Sequence, residues 1–215
     1  GNTATAIQTV TIEDNENPII TAPANIVANA DAGICTATVS LGTPTFSDNC
    51  TGVTVTNNAP AAFPIGLTTV TWTVTDGSGN TATATQTVTV NDNQNPTITA
   101  PAAVTVNTDA GSCTATAVVL GTPTFADNCT GSTVANNAPA AFPIGNTTVT
   151  WTVTDASGNT ATATQVVTVE DNEDPVITAP ANVTANVGTG SCTAPAVALG
   201  TPTFSDNCTG STVAN

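Results

Sequence analysis

Thr69-Val70-Thr71-Trp72-Thr73-Val74-Thr75 alternates without a break. Val70, Trp72 and Val74 fall on one face and the threonines on the other, the period-two pattern of a strand with one buried side. Residues 81–90 repeat it, with Ala82, Ala84, Val88 and Val90 inward and threonines outward. Gln86 is the one polar residue on that inner face. Between the two runs, Asp76-Gly77-Ser78-Gly79 has the turn chemistry of a hairpin loop. No window of comparable length carries helical spacing, and the Thr, Val, Pro and Gly content opposes helix.

Working outward from this hairpin, further strands are expected at 19–28, 36–41 and 53–56, with turns at 30–33, 42–44 and 57–66. Six or seven short strands in about eighty residues make a small antiparallel sandwich. Trp72 and Phe63, with Trp151 and Phe142 in the next copy, are its expected core anchors.

The hairpin belongs to a repeat. Gly1-Asn2-Thr3-Ala4-Thr5-Ala6 returns at 79–84 and again at 158–163, and the rest of each copy follows in the same order. The period of 78 or 79 residues suits an independent small domain. The boundaries expected are a last strand of a preceding module at 1–12, whole modules at 13–90 and 91–169, and an incomplete module at 170–215. Tandem near-identical domains serve length, valency or spacing, whereas catalysis needs one site, so no enzyme is expected.

Composition narrows the function further. The 215 residues include no Lys, Arg, His, Tyr or Met and carry fifteen acids, for a net charge of -15. Nucleic acid and anionic membrane surfaces are excluded as partners, because neutralising phosphates needs cations. No pair of side chains can form a salt bridge, so each carboxylate must find water, an N–H group or a bound cation. No apolar run approaches the length of a membrane span and Gly1 opens no signal peptide, so an export signal is expected outside this stretch.

The six cysteines fall two to a copy: Cys35 and Cys50, Cys113 and Cys129, Cys192 and Cys208. The simplest reading is one disulfide inside each module, in an oxidising compartment, contributing about 3 kcal/mol by loop closure. Free buried thiols are the alternative. Zinc is disfavoured because no copy supplies a histidine or a second cysteine pair.

The order Asp-Asn-Glu-Asn-Pro (14–18), Ile-Thr-Ala-Pro-Ala-Asn (20–25), Phe-Pro-Ile-Gly (63–66), then the Trp72 strand and Thr-Asp-Gly-Ser-Gly-Asn-Thr-Ala-Thr (75–83) resembles the hyalin repeat. The resemblance covers essentially the whole chain. It implies immunoglobulin-like modules of extracellular adhesive proteins, used for adhesion or stalk building, with no catalytic residues to carry over. The family commonly has further cysteines, one before the early proline and one after Gly-Asn-Thr-Ala-Thr. This chain has Ala22 and Ala84 there, and Ala100 and Ala163 in the next copy, so both members of that bridge are absent together. The fold class expected is therefore all-β: tandem immunoglobulin-like antiparallel β-sandwich modules in an elongated array.

In such a sandwich the entry to the first strand, the loop after the second and the last hairpin loop share one pole. That pole is the expected metal site. It gathers Glu13, Asp14 and Glu16 with Asp48, Asp76 and Asn80 in the first copy, and Asp92 with Asp127, Asp155 and Asn159 in the second. Glu170, Asp171, Glu173 and Asp174 with Asp206 follow in the third. Converging carboxylates with no positive side chain raise their own pKa values or recruit a hard cation such as Ca²⁺. An acidic, solvated linker is the alternative reading. The linker at 91–95 has one acid, which predicts weaker binding there than at 170–174.

Asn49, Asn128, Asn146, Asn182 and Asn207 fit the N-glycosylation pattern, and the threonine rows offer hydroxyls for O-linked sugar. Such sequons also arise by chance in a chain this rich in Asn and Thr. The reading reached from sequence is an extracellular, secreted or surface-attached structural protein, a stalk, adhesin or fibre component partnered with itself. The rival is a cell-surface module that binds a specific protein or glycan. The loops at 47–52, 126–131 and 205–210 are nearly the same, which favours spacing over recognition. Ice binding by the Thr rows ranks third, because strand twist spoils a lattice match. A stretch of a longer array is the favoured reading of the ends, and head-to-tail assembly through residues 1–12 is the alternative, since one donated strand cannot supply all that the third module lacks.

Overall fold

The computed structural model describes residues 1–194, 196–210 and 212. In the first copy the strands are β1 (Ile19–Thr21), β2 (Ile26–Asn29), β3 (Thr36–Ala37), β4 (Thr45–Ser47), β5 (Thr54–Asn57), β6 (Phe63–Pro64), β7 (Gly66–Thr75) and β8 (Thr81–Asn91). The second copy repeats them as β9 (Thr97–Thr99), β10 (Val104–Asn107), β11 (Thr114–Thr116), β12 (Thr124–Ala126), β13 (Thr133–Asn136), β14 (Ala141–Pro143), β15 (Gly145–Thr154) and β16 (Thr160–Glu170). β17 (Val176–Thr178) and β18 (Thr203–Ser205) belong to the third.

The chain folds as two compact units, neither of which follows the sequence period. The first comprises Gly1–Pro96, Ala126–Thr133 and Thr154–Thr160; the second comprises Thr97–Phe125, Val134–Val153 and Ala161–Asn215. In the first unit the hairpin read from sequence forms the centre of a sheet ordered β2-β8-β7-β5, running from Gly66↔Val90 to Thr75↔Thr81. Two smaller antiparallel pairs, β1 with β4 and β3 with β6, form the facing layer. Val70, Trp72, Val88 and Val90 pack there against Phe63 and Ala37, with Ile20, Ile26 and Leu41 at the margin. The second unit has the same plan, with β10-β16-β15-β13, the pair β11 and β14, and a core of Phe142, Val149, Trp151, Val167 and Val169.

Several details differ from the sequence reading. The strand expected at 36–41 is only β3, Thr36–Ala37, and residues 1–12, expected as a last strand, form none. The strand expected at 19–28 is broken: Pro23 has no N–H for a ladder, so β1 pairs with β4 while β2 crosses to the other layer. There β2 runs parallel to β8, from Ile26↔Val88 to Asn29↔Asn91, so the large sheet is mixed at this edge. Residues 63–64, expected in a turn, form β6 and pair with β3. Two-residue strands carry too little periodicity to be read.

Gln86 shows why a polar residue is tolerated inside. It is fully buried, its Oε1 accepts a hydrogen bond from Trp72 Nε1 at 3.1 Å, and its Nε2 donates to the carbonyls of Ala24 at 2.7 Å and Leu41 at 3.0 Å. The amide thus ties the core tryptophan to the chain crossing after Pro23 and to the loop after β3. Gln165 does the same with Trp151, Ala102 and Leu120. Replacing Gln86 by Leu leaves the buried Trp72 N–H without a partner, at about 1–3 kcal/mol, and strips the Ala24 and Leu41 carbonyls of theirs. The expected result is a loss of at least about 1–3 kcal/mol in urea unfolding of the Q86L chain, and an unchanged midpoint contradicts this role.

The disulfides correct the sequence reading. Cys35 bonds Cys129 and Cys113 bonds Cys208, with Cα–Cα distances of 4.9 and 5.0 Å, while Cys50 and Cys192 are free and exposed. No bridge joins two cysteines of the same sequence copy. The reason is the length of the hairpin. Cys35 follows β2, whose last residue pairs with Asn91 at one end of β8, whereas Cys50 lies beside Asp14 and Asp76 at the other end. The ten residues of β7 between those ends span about 30 Å at roughly 3.3 Å each, and a bridge tolerates a Cα–Cα distance of only about 4.4–6.8 Å. The separations of 94 and 95 residues close long loops, for which the chain-entropy contribution is about 4.7 kcal/mol. Non-reducing peptide mapping is expected to return Cys35 linked to Cys129, and a Cys35–Cys50 peptide as the main product contradicts the fold.

Candidate metal centre

The hairpin loop supplies the first part of the site. Asp76 Oδ1 accepts N–H groups from Ser78 at 2.9 Å and Asn80 at 2.8 Å, and its Oδ2 accepts from Asn80 Nδ2 at 2.7 Å. Gly79, with φ of 95°, adopts the left-handed turn that returns the chain to β8. Asn80 Nδ2 also donates to the carbonyl of Asp14 at 3.0 Å, fastening the incoming chain to the loop. Asn49 Nδ2 reaches Asp14 Oδ1 at 3.2 Å from the loop after β4. Asp14, Asp48 and Asp76 then offer carboxylate oxygens that lie within 4.8 Å of one another.

The first unit holds a second set of the same make. Asn159 Nδ2 donates to the Asp92 carbonyl at 3.0 Å and to Asp155 Oδ2 at 2.7 Å, and Asn128 Nδ2 donates to Asp92 Oδ1 at 3.2 Å. Asp92, Asp127 and Cys129 have ligand atoms within 4.8 Å of one another. Cys129 is disulfide-bonded, so its sulfur is no thiolate ligand and the available donors are oxygens. Asp92 is only 5% exposed. Several oxygens here are buried with no hydrogen-bond donor: Asp14 Oδ2, Asp48 Oδ1, Asp92 Oδ2, Asp127 Oδ1 and Asn128 Oδ1. Burying an anionic oxygen without a donor is costly, and a cation removes that cost.

The remaining expected ligands have other roles or surroundings. Asp155 and Asn159 hold the second hairpin loop together, as Asp76 and Asn80 hold the first. Glu13, Glu16, Glu170 and Asp174 are exposed. Glu173 Oε2 is taken by the backbone N–H of Gly111 at 2.7 Å, the place Gln94 Oε1 fills for Gly33 at 2.7 Å. In the second unit Asp171 Oδ1 accepts from Asn207 Nδ2 at 3.1 Å, and Asp206 lies half-buried in the same loop. The aspartate at 14, 92 or 171 is thus bound into structure in each linker, joined in the third by Glu173. The sequence reading took Asn128 only for a sequon, whereas its Oδ1 is buried without a donor in the loop beside Asp92. The amide nitrogens of Asn49, Asn128 and Asn207 are donors in these contacts, while Asn146 and Asn182 are exposed.

Hydrogen bonds set the charge state. Those from the Glu16 backbone and then Asn49 hold the Asp14 carboxyl below the usual carboxylate range. Burial pushes Asp76 and Asp155 up, but the bonds from Asn80 and Asn159 and their loop backbones outweigh it, and both end below that range. The Cys50 thiol is pushed up by the hydrogen bond to Asp14, then by burial and by the charges of Asp14, Asp48 and Asp76.

The profile of the HYR domain family matches residues 13–90 and 91–169. The chain belongs to the HYR domain family. Hyalin of Strongylocentrotus purpuratus is 34% identical over 199 residues, covering 87% of this chain and 16% of that protein. Hyalin of Lytechinus variegatus is 34% identical over 228 residues, covering 96% and 41%. This HYR chain therefore spans well under half the length of these relatives. Among solved structures it is similar to Drosophila N-cadherin EC1-4, with a TM-score of 0.40 and 10% identity over 72% of this chain and 50% of that one.

These aspartates also fix the response to acid. Because the folded pKa values of Asp14, Asp76 and Asp155 lie below the unfolded value of about 3.9, the native state binds fewer protons than the unfolded chain in acid. The stabilisation is complete above that value and is lost as pH falls through the lower folded values. Thermal unfolding followed by circular dichroism is expected to show the midpoint dropping as pH falls below about 4, and less steeply in D155N. A midpoint level across that range removes the assignment.

Proposed function

We propose that this chain is a non-enzymatic, extracellular building block of an array, in which HYR modules act as spacers and Ca²⁺ stiffens the linker where it meets the loops. The observation that carries the reading is Asp92: nine-tenths buried, its Oδ2 without a donor, beside Asp127 and Asn128 oxygens in the same condition. In a chain with no Lys, Arg or His, no side chain can answer that charge. An all-oxygen, carboxylate-rich donor set suits a hard divalent cation, and Ca²⁺ accepts the irregular geometry such loops provide. Bound there, the ion ties the linker at Asp92 to the loop at 127–128, and at Asp14 and Asp48 it does the same at the other set. Membership of the HYR domain family, two long-range disulfides suited to an oxidising compartment, and loops alike from copy to copy support a structural role in adhesion or a stalk. No helix among the described residues is long and apolar enough to cross a membrane.

Ca²⁺ at about one hundred times its dissociation constant is expected to stabilise the fold by about 2.7 kcal/mol. The gain should appear as a raised unfolding midpoint reversed by chelator and diminished in D92N. Absence of calorimetric heat together with a midpoint indifferent to chelator sinks the cation reading. If sugar is attached, Asn146 and Asn182 are its expected N-linked sites, since their side chains are exposed; intact mass of the natively expressed chain checks this.

A further inference from the structure

The oxygens around Asp92 share their loop with a disulfide. Asp127 and Asn128 directly precede Cys129, the Cys129 N–H donates to Asp127 Oδ2 at 3.1 Å, and Asn128 Nδ2 lies 3.3 Å from the Cys129 sulfur. Cys129 bonds Cys35, 94 positions away in sequence. The turn that carries Cys35 is itself fastened to the linker. Gly33 N–H donates to Gln94 Oε1 at 2.7 Å, Gln94 Nε2 donates to the Asp31 carbonyl at 3.0 Å, and the Gln94 N–H donates to Asp92 Oδ1 at 3.1 Å. Asn128 Nδ2 closes the ring by reaching the Ile34 carbonyl at 3.3 Å and Asp92 Oδ1 at 3.2 Å. A circuit of one covalent bond and several hydrogen bonds thus passes through Asp92, Gln94, the turn at 31–35 and the loop at 127–129.

The first unit shows the same kind of carboxylate set with and without such a bridge. At Asp14, Asp48 and Asp76 the neighbouring cysteine, Cys50, is free; Asn49 and Cys50 are exposed, and Asp14 and Asp48 are half-buried. At the bridged set Asn128 and Cys129 are half-buried, Asp92 has lost nearly all its solvent, and Asn128 Oδ1 joins the oxygens buried without a donor. The turn at 31–35 therefore takes water from this site, and the disulfide holds turn and loop together. Desolvation sharpens the demand for a cation, and a fixed loop reduces the ordering that binding must impose on its ligands. With the bridge open, the circuit joins turn to loop only through the Asn128 bond to the Ile34 carbonyl, a contact of the kind that contributes little on its own. The freed thiols do not make up the loss, because a soft sulfur is a poor partner for a hard cation.

We propose that the Cys35–Cys129 disulfide regulates the cation site at Asp92: closed, it seats the turn over Asp92 and Asn128 and tightens binding; reduced, it readmits water and weakens binding. The inference rests on the Ca²⁺ reading above and deepens it by naming what controls that site. In the opening direction two glutathione thiols give two electrons and two protons to the S–S bond, which becomes the thiols of Cys35 and Cys129, and the glutathione leaves as its own disulfide. Coupling between two sites is reciprocal, so the bound ion makes the bridge harder to reduce by the same factor that reduction takes from its affinity.

The test uses the full chain with its two exposed free thiols replaced, C50S/C192S, so that only the two bridges exchange. It is equilibrated in glutathione redox buffers with Ca²⁺ or with chelator and quenched by alkylation, and the Cys35–Cys129 peptide is quantified. The readout is the ratio of reduced glutathione squared to oxidised glutathione at which half of this bridge is open. Ca²⁺ is expected to raise that ratio by about 5- to 150-fold, the usual range of coupling between two sites. Calorimetry of the further variant C35S/C129S is expected to show one class of Ca²⁺ site weakened by the same factor, and D92N is expected to abolish the effect of Ca²⁺ on this bridge. Bridge opening indifferent to Ca²⁺, in a chain that binds Ca²⁺, overturns the coupling and leaves the cation reading in place. A shift that persists in D92N overturns it too, as does loss of buried-tryptophan fluorescence on reduction, because the shift then reports global unfolding. A bridged chain that takes up no Ca²⁺ removes both readings.

Discussion

No side chain in this protein carries a positive charge, and the arrangement of its loops follows from that constraint. A buried carboxylate can be answered only by N–H groups, and the chain provides them locally where it can. Asp76 and Asp155 each accept from their own hairpin loop, and Asp31 and Asp109 accept the backbone N–H groups of Thr38 and Thr116, each at 2.9 Å. Where linker and loop meet, the donors run out. The oxygens left over at Asp14, Asp48, Asp92 and Asp127 concentrate the unmet electrostatic demand at one kind of place.

The long hairpin sets where those places are. β7 and β8 are the only long strands of the first copy, and they hold apart the two loops that carry Cys35 and Cys50. A module this small has a modest core, here one tryptophan, one phenylalanine and a few valines around a buried glutamine. Disulfides that close loops of nearly a hundred residues therefore add to stability where burial is limited. The same loops use their asparagines as amide donors to linker aspartates, so the Asn-Cys-Thr segments serve packing before any modification.

Much of the fold was legible because alternation is a local signal. The β7 and β8 pattern, the hairpin loop, the inward Trp72 and Phe63 and the odd glutamine on the inner face could be read one residue at a time. Short strands such as β6, and the parallel pairing of β2, could not, since two to four residues carry no usable period and pairing direction leaves no trace in composition. In the candidate site, the convergence of Asp14, Asp48 and Asp76 was open to inference from the order of strands, whereas the diversion of Glu173 to Gly111 depended on a turn formed by a distant segment.

The sequence by itself determined that this is an all-β tandem repeat, poor in charge and devoid of cations, because periodicity and composition are properties of neighbouring residues; the order of its motifs carried the resemblance to the hyalin repeat. Only the tertiary structure decided which cysteines pair, which acids lose their solvent and which amides answer them. Those outcomes depend on a strand length of about 30 Å that separates residues close in sequence and brings together residues 94 or 95 positions apart.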